Sequence, residues 1–152
     1  MRIKKVVFYA LCSLASFCLG YHLAKNKYEY IYVEMAPEIN THINIKDPLL
    51  IESIIEVESL HNPKAVSPKG CIGLMQVNYQ VWKKDLLKLG ITKEDLFKPE
   101  KNIIAGKYIL EKHYRFSKGD LRKTLQGYSG GAKWYYERVM TAYIKRKENN
   151  YK

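Results

Sequence analysis

From Asp47 onward, apolar residues recur at spacings of three and four, the period of a helix with one face turned inward. Asp47 followed by Pro48 reads as an N-cap and a first helical residue, which predicts a helix over 48–59 with Ile51, Ile54 and Ile55 on one stripe. Asn62-Pro63 and Ser67-Pro68-Lys69-Gly70 break the pattern and predict a loop. A second helix is expected from near Leu74 to just before Gly90. Thr92-Lys93-Glu94-Asp95 has the form of a capping box and predicts a short helix after it. Further helices are expected over 99–114, 120–126 and 133–147. No segment of any length alternates with the period of a strand after residue 47. The fold class expected is therefore mainly α.

The N-terminus has a different pattern. Residues 6–24 carry no formal charge and follow Arg2, Lys4 and Lys5. As a helix such a run would reach about 28 Å, close to the thickness of a bilayer core. A basic flank before an apolar run is the pattern of a signal peptide or a signal anchor. No good small-x-small cleavage site follows it, which favours an uncleaved anchor. The positive flank places Met1 in the cytoplasm and the rest of the chain on the extracytoplasmic, periplasmic side, held to the inner membrane. The expected organisation is a signal anchor or signal peptide over 1–24, a tether over 25–45, a helical domain over 46–147 and a polar tail over 148–152. Cys12 and Cys18 fall in the apolar run. Cys71 then has no partner for an intrachain disulfide in the exported part, and reads as a small buried residue.

Composition narrows the partners. The 152 residues include 26 Lys and Arg against 15 Asp and Glu, a net charge of +11, with 47% hydrophobic residues. That apolar content is ample for a core and excludes disorder as the dominant state. The positive balance admits nucleic acid, an anionic membrane surface or an anionic polymer. No nucleic-acid motif is present, and an export signal speaks against that partner. The excess is uneven: residues 42–97 hold 7 basic and 7 acidic residues, whereas 98–152 hold 14 and 5. The C-terminal third thus carries a general attraction to an anionic polymer or phospholipid surface. His22, His42, His61 and His113 are scattered, and no phosphate loop or metal-ligand spacing occurs, so neither a metal nor a cofactor is expected.

One acid breaks the pattern of its helix. Glu58 lies four residues after Ile54, three after Ile55 and seven after Ile51, on the apolar stripe. Glu52 and Glu56 point to another face, with Ser59 near them, and Glu56 is expected to be a solvated surface charge. Burial disfavours a carboxylate and raises its pKa, and a glutamic acid still protonated near neutral pH can protonate a leaving oxygen. A glutamate at a helix end that rotates into water or pairs with a lysine is the structural alternative.

The residues that follow carry a longer pattern. Glu58-Ser59 precedes Asn62-Pro63, Ala65-Val66-Ser67-Pro68, Gly70 and Gly73-Leu74-Met75-Gln76. Asn102-Ile103, Gly106, Tyr108 and Leu110 form a second element, and Gly127-Tyr128-Ser129-Gly130-Gly131 a third. Together they resemble the catalytic signature of the soluble lytic transglycosylases, a branch of the lysozyme-like superfamily, over about residues 46–145. Val77-Asn78 and Leu89-Gly90-Ile91 look most like the small members attached to secretion systems or phage particles, which would be further partners. The resemblance implies a lysozyme-like helical domain that cleaves peptidoglycan glycan strands. It implies Glu58 as the single catalytic acid/base, with Gln76, Tyr128, Ser67 and Asn78 at the substrate. Ser59, Met75 and Asn102 would support the site, Asn102 and Gly106 by packing the helix behind the cleft. The family reaction breaks the β-1,4 bond between N-acetylmuramic acid and N-acetylglucosamine and leaves a 1,6-anhydro product. A tyrosine hydroxyl such as that of Tyr128 would orient Glu58 or bind the acetamido group.

Three departures qualify the resemblance. Cys71 stands where the family commonly has Ala. Ser129-Gly130-Gly131 lacks the usual Asn-Ala, so contacts of that Asn do not carry over. Asn78 stands where the related goose-type lysozymes tend to have an Asp that aids hydrolysis; an amide cannot act as a base, which favours transglycosylation over a lysozyme-type hydrolase. A non-catalytic peptidoglycan-binding adaptor is the non-enzymatic alternative. Tyr79, Trp82, Trp134 and Tyr135 are candidate sugar-stacking residues, although core packing is the commoner role of such rings.

Overall fold

The computed structural model describes residues 43–150, and the apolar run over 6–24 and most of the tether lie outside the described residues. The chain divides into Met1–Ile39 and Asn40–Lys152, and the helical domain belongs to the second unit. Among the described residues no helix is long and apolar enough to cross a membrane.

Among the described residues five helices dominate: α1 (Pro48–Ser59), α2 (Tyr79–Lys88), α3 (Pro99–Phe116), α4 (Leu121–Tyr128) and α5 (Tyr135–Asn149). A 3₁₀ turn, Glu94–Phe97, precedes α3. The Asp47 carboxylate caps α1 by accepting the Leu49 N–H at 2.9 Å, and Pro48 occupies the first turn, as the pattern predicts. The capping box is reciprocal: Thr92 Oγ1 accepts the Asp95 N–H, and Asp95 Oδ2 accepts the Thr92 N–H. It opens the 3₁₀ turn.

The helix expected from Leu74 is shorter than predicted. Residues 71–78 instead form a hairpin of two-residue strands, β1 (Cys71–Ile72) and β2 (Val77–Asn78), antiparallel with Cys71 opposite Asn78 and Ile72 opposite Val77. The physical reason lies in the turn between them. Gly73 has φ 76° and Gln76 has φ 47°, both in the left-handed region that a helix cannot contain. The helix begins only where the Asn78 side chain caps it, accepting the Val81 N–H at 3.2 Å.

The core sits between α1 and α5, which pack chiefly on each other, and between α3 and α4. Leu50, Ile54 and Ile55 of α1 are buried, as are Tyr135, Tyr136, Val139, Met140 and Tyr143 of α5. The two helices are also tied by polar groups at the start of α1, where the Tyr143 hydroxyl donates to Asp47 Oδ2 at 2.7 Å.

Candidate active site

Glu58 is the penultimate residue of α1. The helix ends at once in two residues of positive φ, Leu60 at 52° and His61 at 62°, neither of them glycine. Such backbone costs about 1–3 kcal/mol per residue and persists only where surroundings enforce it. Here the left-handed turn ends the helix one turn after Ile55, and the Leu60 N–H closes on the Glu56 carbonyl at 3.1 Å.

The Glu58 carboxyl is half-buried, and its Oε1 accepts the Tyr135 hydroxyl at 2.6 Å. Two effects oppose each other. Burial pushes its pKa above the ordinary glutamate value, and the Tyr135 hydrogen bond pulls it down; burial is the larger. Tyr135 is 2% exposed. Burial first, and the neighbouring Glu58 charge second, hold its hydroxyl well above the usual tyrosine range, so it remains a donor at neutral pH. Glu56 departs from the sequence expectation, because it is not a solvated charge. Arg146 Nη2 meets Glu56 Oε2 at 2.5 Å, with both side chains about a third exposed or less. His61 Nε2 lies 3.2 Å from the same guanidinium. An arginine in the last turns of α5 therefore reaches the face of α1 that the periodicity assigns to solvent.

Tyr128 ends α4, and its hydroxyl donates to the Met75 carbonyl at 2.8 Å. That corrects the expectation that it orients Glu58. Its ring stacks on Tyr135 at 6.5 Å between centroids, with 26° between planes, and Tyr135 takes the orienting role. Tyr135 thereby drops out as a sugar-stacking candidate, because its ring is enclosed. Tyr79 drops out too, at 9% exposed. Sequence reasoning missed Tyr135 as the partner of Glu58 because 77 positions separate them. One signal was available: a hydroxyl on the buried stripe of α5 needs a partner.

The turn carrying Gly73-Leu74-Met75-Gln76 is locked from behind. Asn102 of α3 is 1% exposed and fully paired. Its Oδ1 accepts the Met75 N–H at 2.8 Å, and its Nδ2 donates to the carbonyls of Ile72 at 2.8 Å and Leu96 at 2.7 Å. Gly73 lies so close that a Cβ there would come within 2.2 Å of the Asn102 amide. A Cβ on Gly106 would come within 2.4 Å of the Met75 sulfur. Met75 itself is fully buried. These four residues hold the turn against α3.

In front of that turn lies a cleft of about 320 Å³, walled by Gln76, Asn78, Trp82, His113 and Tyr128 among others. Cys71 is on the same wall and half-buried, more open than expected. Gln76 Nε2 donates to the carbonyls of Gly73 at 3.0 Å and Ala65 at 3.3 Å, which fixes the amide plane. Asn78 is committed at both ends, since its Nδ2 donates to the Lys69 carbonyl at 3.2 Å while its Oδ1 caps α2. Ser67 Oγ accepts the Cys71 N–H at 3.1 Å and closes the loop before β1. Ser59 Oγ donates back to the Ile55 carbonyl within α1. The structure thus brings Gln76, Asn78 and Tyr128 to one cleft wall. Ser59, Ser67, Met75 and Asn102 shape the backbone around it, and Glu58 stands outside the lining, joined to it through the Tyr135–Tyr128 stack.

The Transglycosylase SLT domain model matches residues 35–151, and the chain belongs to that family. It is 36% identical over 90 residues to the membrane-bound lytic murein transglycosylase C of Photorhabdus laumondii, covering 56% of this chain and 24% of that protein. It is 34% identical over 86 residues to the transglycosylase of Enterobacteria phage PRD1, covering 56% and 29%. With the membrane-bound lytic murein transglycosylase C of Edwardsiella ictaluri it shares 31% over 123 residues, covering 73% and 33%. The chain thus spans about a quarter to a third of the length of these relatives. The 70 kDa soluble lytic transglycosylase SLT70 of Escherichia coli shares its fold, with a TM-score of 0.56 at 20% identity over 62% of this chain and 21% of that one.

Proposed function

We propose that the domain is a peptidoglycan lytic transglycosylase that breaks the β-1,4 bond between N-acetylmuramic acid and N-acetylglucosamine, with Glu58 as its one acid/base. The observation that carries this reading is the environment of Glu58: a carboxyl drawn out of water on an apolar stripe, its pKa raised, and gripped by a buried tyrosine. Protonated Glu58 gives its proton to the glycosidic oxygen as the bond to C1 of the muramic sugar breaks. The acetamido carbonyl of that sugar supports the positive charge at C1. Ionised Glu58 then removes the proton of the C6 hydroxyl, whose oxygen closes on C1. The product is a 1,6-anhydro sugar, and Glu58 ends protonated, ready for the next bond.

One feature favours this course over hydrolysis. Asn78, at the position of a hydrolytic base in the goose-type relatives, spends its amide on two backbone groups. Gln76 and Tyr128 would contact the sugar from the cleft wall, while Ser67, Asn78, Ser59, Met75 and Asn102 hold the backbone that presents them. The apolar run over 6–24 would hold the enzyme to the inner membrane with this domain in the periplasm, where it would serve a secretion system or phage particle. Mass spectrometry of digested sacculi tests the reading. Anhydromuropeptides are the expected product; reducing ends would mean a lysozyme, and binding without release an adaptor.

A further inference from the structure

Five rings form a continuous series across the domain. Trp82 meets His113 edge-on at 5.8 Å, His113 meets Tyr128 at 6.5 Å, Tyr128 stacks on Tyr135 at 6.5 Å, and Tyr135 meets Trp134 at 6.0 Å. Glu58 joins the series at Tyr135. In the order of contacts, Trp134 is one ring from Tyr135 in one direction, and Trp82 is three rings from it in the other.

The two end members differ from those between them. Tyr135 is enclosed and Tyr128 spends its hydroxyl on Met75, but Trp134 is 59% exposed and Trp82 lines the cleft. An exposed indole offers a broad apolar face with one polar N–H, a surface suited to a ligand that is part apolar and part polar. Each indole also carries a cation over its ring. Lys112 Nζ lies 5.2 Å from the Trp82 centroid and is itself anchored by Asp85 at 3.0 Å. The Arg138 guanidinium lies 5.8 Å from that of Trp134. Such contacts fix the orientation of a ring without enclosing it. Pyranose rings present an apolar face of C–H groups, and a fixed indole is the side chain suited to stack on one.

We propose that Trp82 and Trp134 are sugar-stacking platforms on opposite sides of the Glu58 carboxyl. A glycan would then be held by rings on both sides of the bond to be cut. Chains would be cut internally rather than trimmed from an end. The inference rests on the transglycosylase reading and adds to it the two positions that set where along a chain the cut falls.

The chain has two tryptophans, and these are the two. Intrinsic indole fluorescence therefore reports the proposed platforms and nothing else. Full-length Glu58→Gln protein titrated with the β-1,4 hexamer of N-acetylglucosamine should show a change in emission. Trp82→Phe and Trp134→Phe in that background should each remove part of it. Trp134→Ala, at an exposed position, should weaken binding by about two- to tenfold, the range an aromatic face contact is worth. In the active protein, early digestion of sacculi should release long anhydro-ended fragments, and Trp134→Ala should shift the release toward short ones. No emission change, with the active protein still making anhydro products, would overturn the platforms and leave the transglycosylase reading standing. No anhydro product from the active protein would overturn that reading itself.

Discussion

Glu56 and Glu58 sit two residues apart on one helix, and their surroundings make them different acids. Glu56 faces Arg146, a permanent cation that meets it at 2.5 Å with His61 alongside. Glu58 faces the α5 core and receives a neutral donor, the Tyr135 hydroxyl, in place of a cation. Burial with a single neutral hydrogen bond leaves the acid form favoured to higher pH. In the proposed one-acid site, Glu58 acts through what the fold withholds from it: water and a positive partner. The helical period decides this, because about 200° of rotation separates positions two apart.

Removing the acid is the largest break. Glu58→Gln should lower release of muropeptides from sacculi by about 10²–10⁴-fold, the range that general acid–base catalysis supplies. The same substitution should not destabilise the fold. A carboxyl with a raised folded-state pKa binds its proton more tightly folded than unfolded, so wild-type stability falls as pH rises from the ordinary glutamate value through the raised one. The amide of the variant has no such charge to develop. Thermal melts should show the variant matching or exceeding wild type at pH 7, with its relative advantage shrinking as pH falls through the raised value to the ordinary glutamate pKa.

Asn102→Ala strikes the scaffold behind the cleft. It strands the Met75 N–H and the carbonyls of Ile72 and Leu96, and unpaired buried groups cost about 1–3 kcal/mol each. Chemical denaturation should register a loss of about 3 kcal/mol or more by that count, against little change for a substitution at exposed Lys101.

Tyr135→Phe sharpens the comparison without removing the acid. Losing the hydroxyl should cost about tenfold in rate by freeing the carboxyl to rotate. It should also move the alkaline limb of the pH–rate profile upward, because the lost hydrogen bond was holding the Glu58 pKa down. An unmoved limb would mean that Tyr135 does not bear on the Glu58 proton, and a downward move that its hydrogen bond favours the acid form. The smallest effect belongs to Glu56→Gln. An ion pair this close to solvent is worth about 1 kcal/mol or less. Activity on sacculi should stay within about twofold of wild type, and equal loss from Glu56→Gln and Glu58→Gln would dismantle the helix-face account.

The legible parts of the fold are those written in local chemistry. Asp47-Pro48 marks the start of α1, Thr92 and Asp95 mark their reciprocal cap, and the stripe of Ile51, Ile54 and Ile55 places Glu58 against the core. The family pattern points to Asn102 and Gly106 behind the cleft, where both press on the turn at Met75. The rest is hidden from the sequence because it depends on groups far apart in the chain. Arg146 reaches Glu56 across 90 positions and Tyr135 reaches Glu58 across 77. The hairpin at 71–78 escapes for another reason. Its apolar residues fit a helical period, and only the left-handed backbone at Gly73 and Gln76 prevents one.

The central claim is that burial raises the Glu58 pKa above the ordinary glutamate value, outweighing the Tyr135 hydrogen bond that lowers it. Following the side-chain carboxyl carbon of Glu58 by NMR through a pH titration of the folded protein tests it most directly. The account predicts a midpoint above the ordinary glutamate range, moving higher still in Tyr135→Phe. A midpoint at or below that range would contradict it.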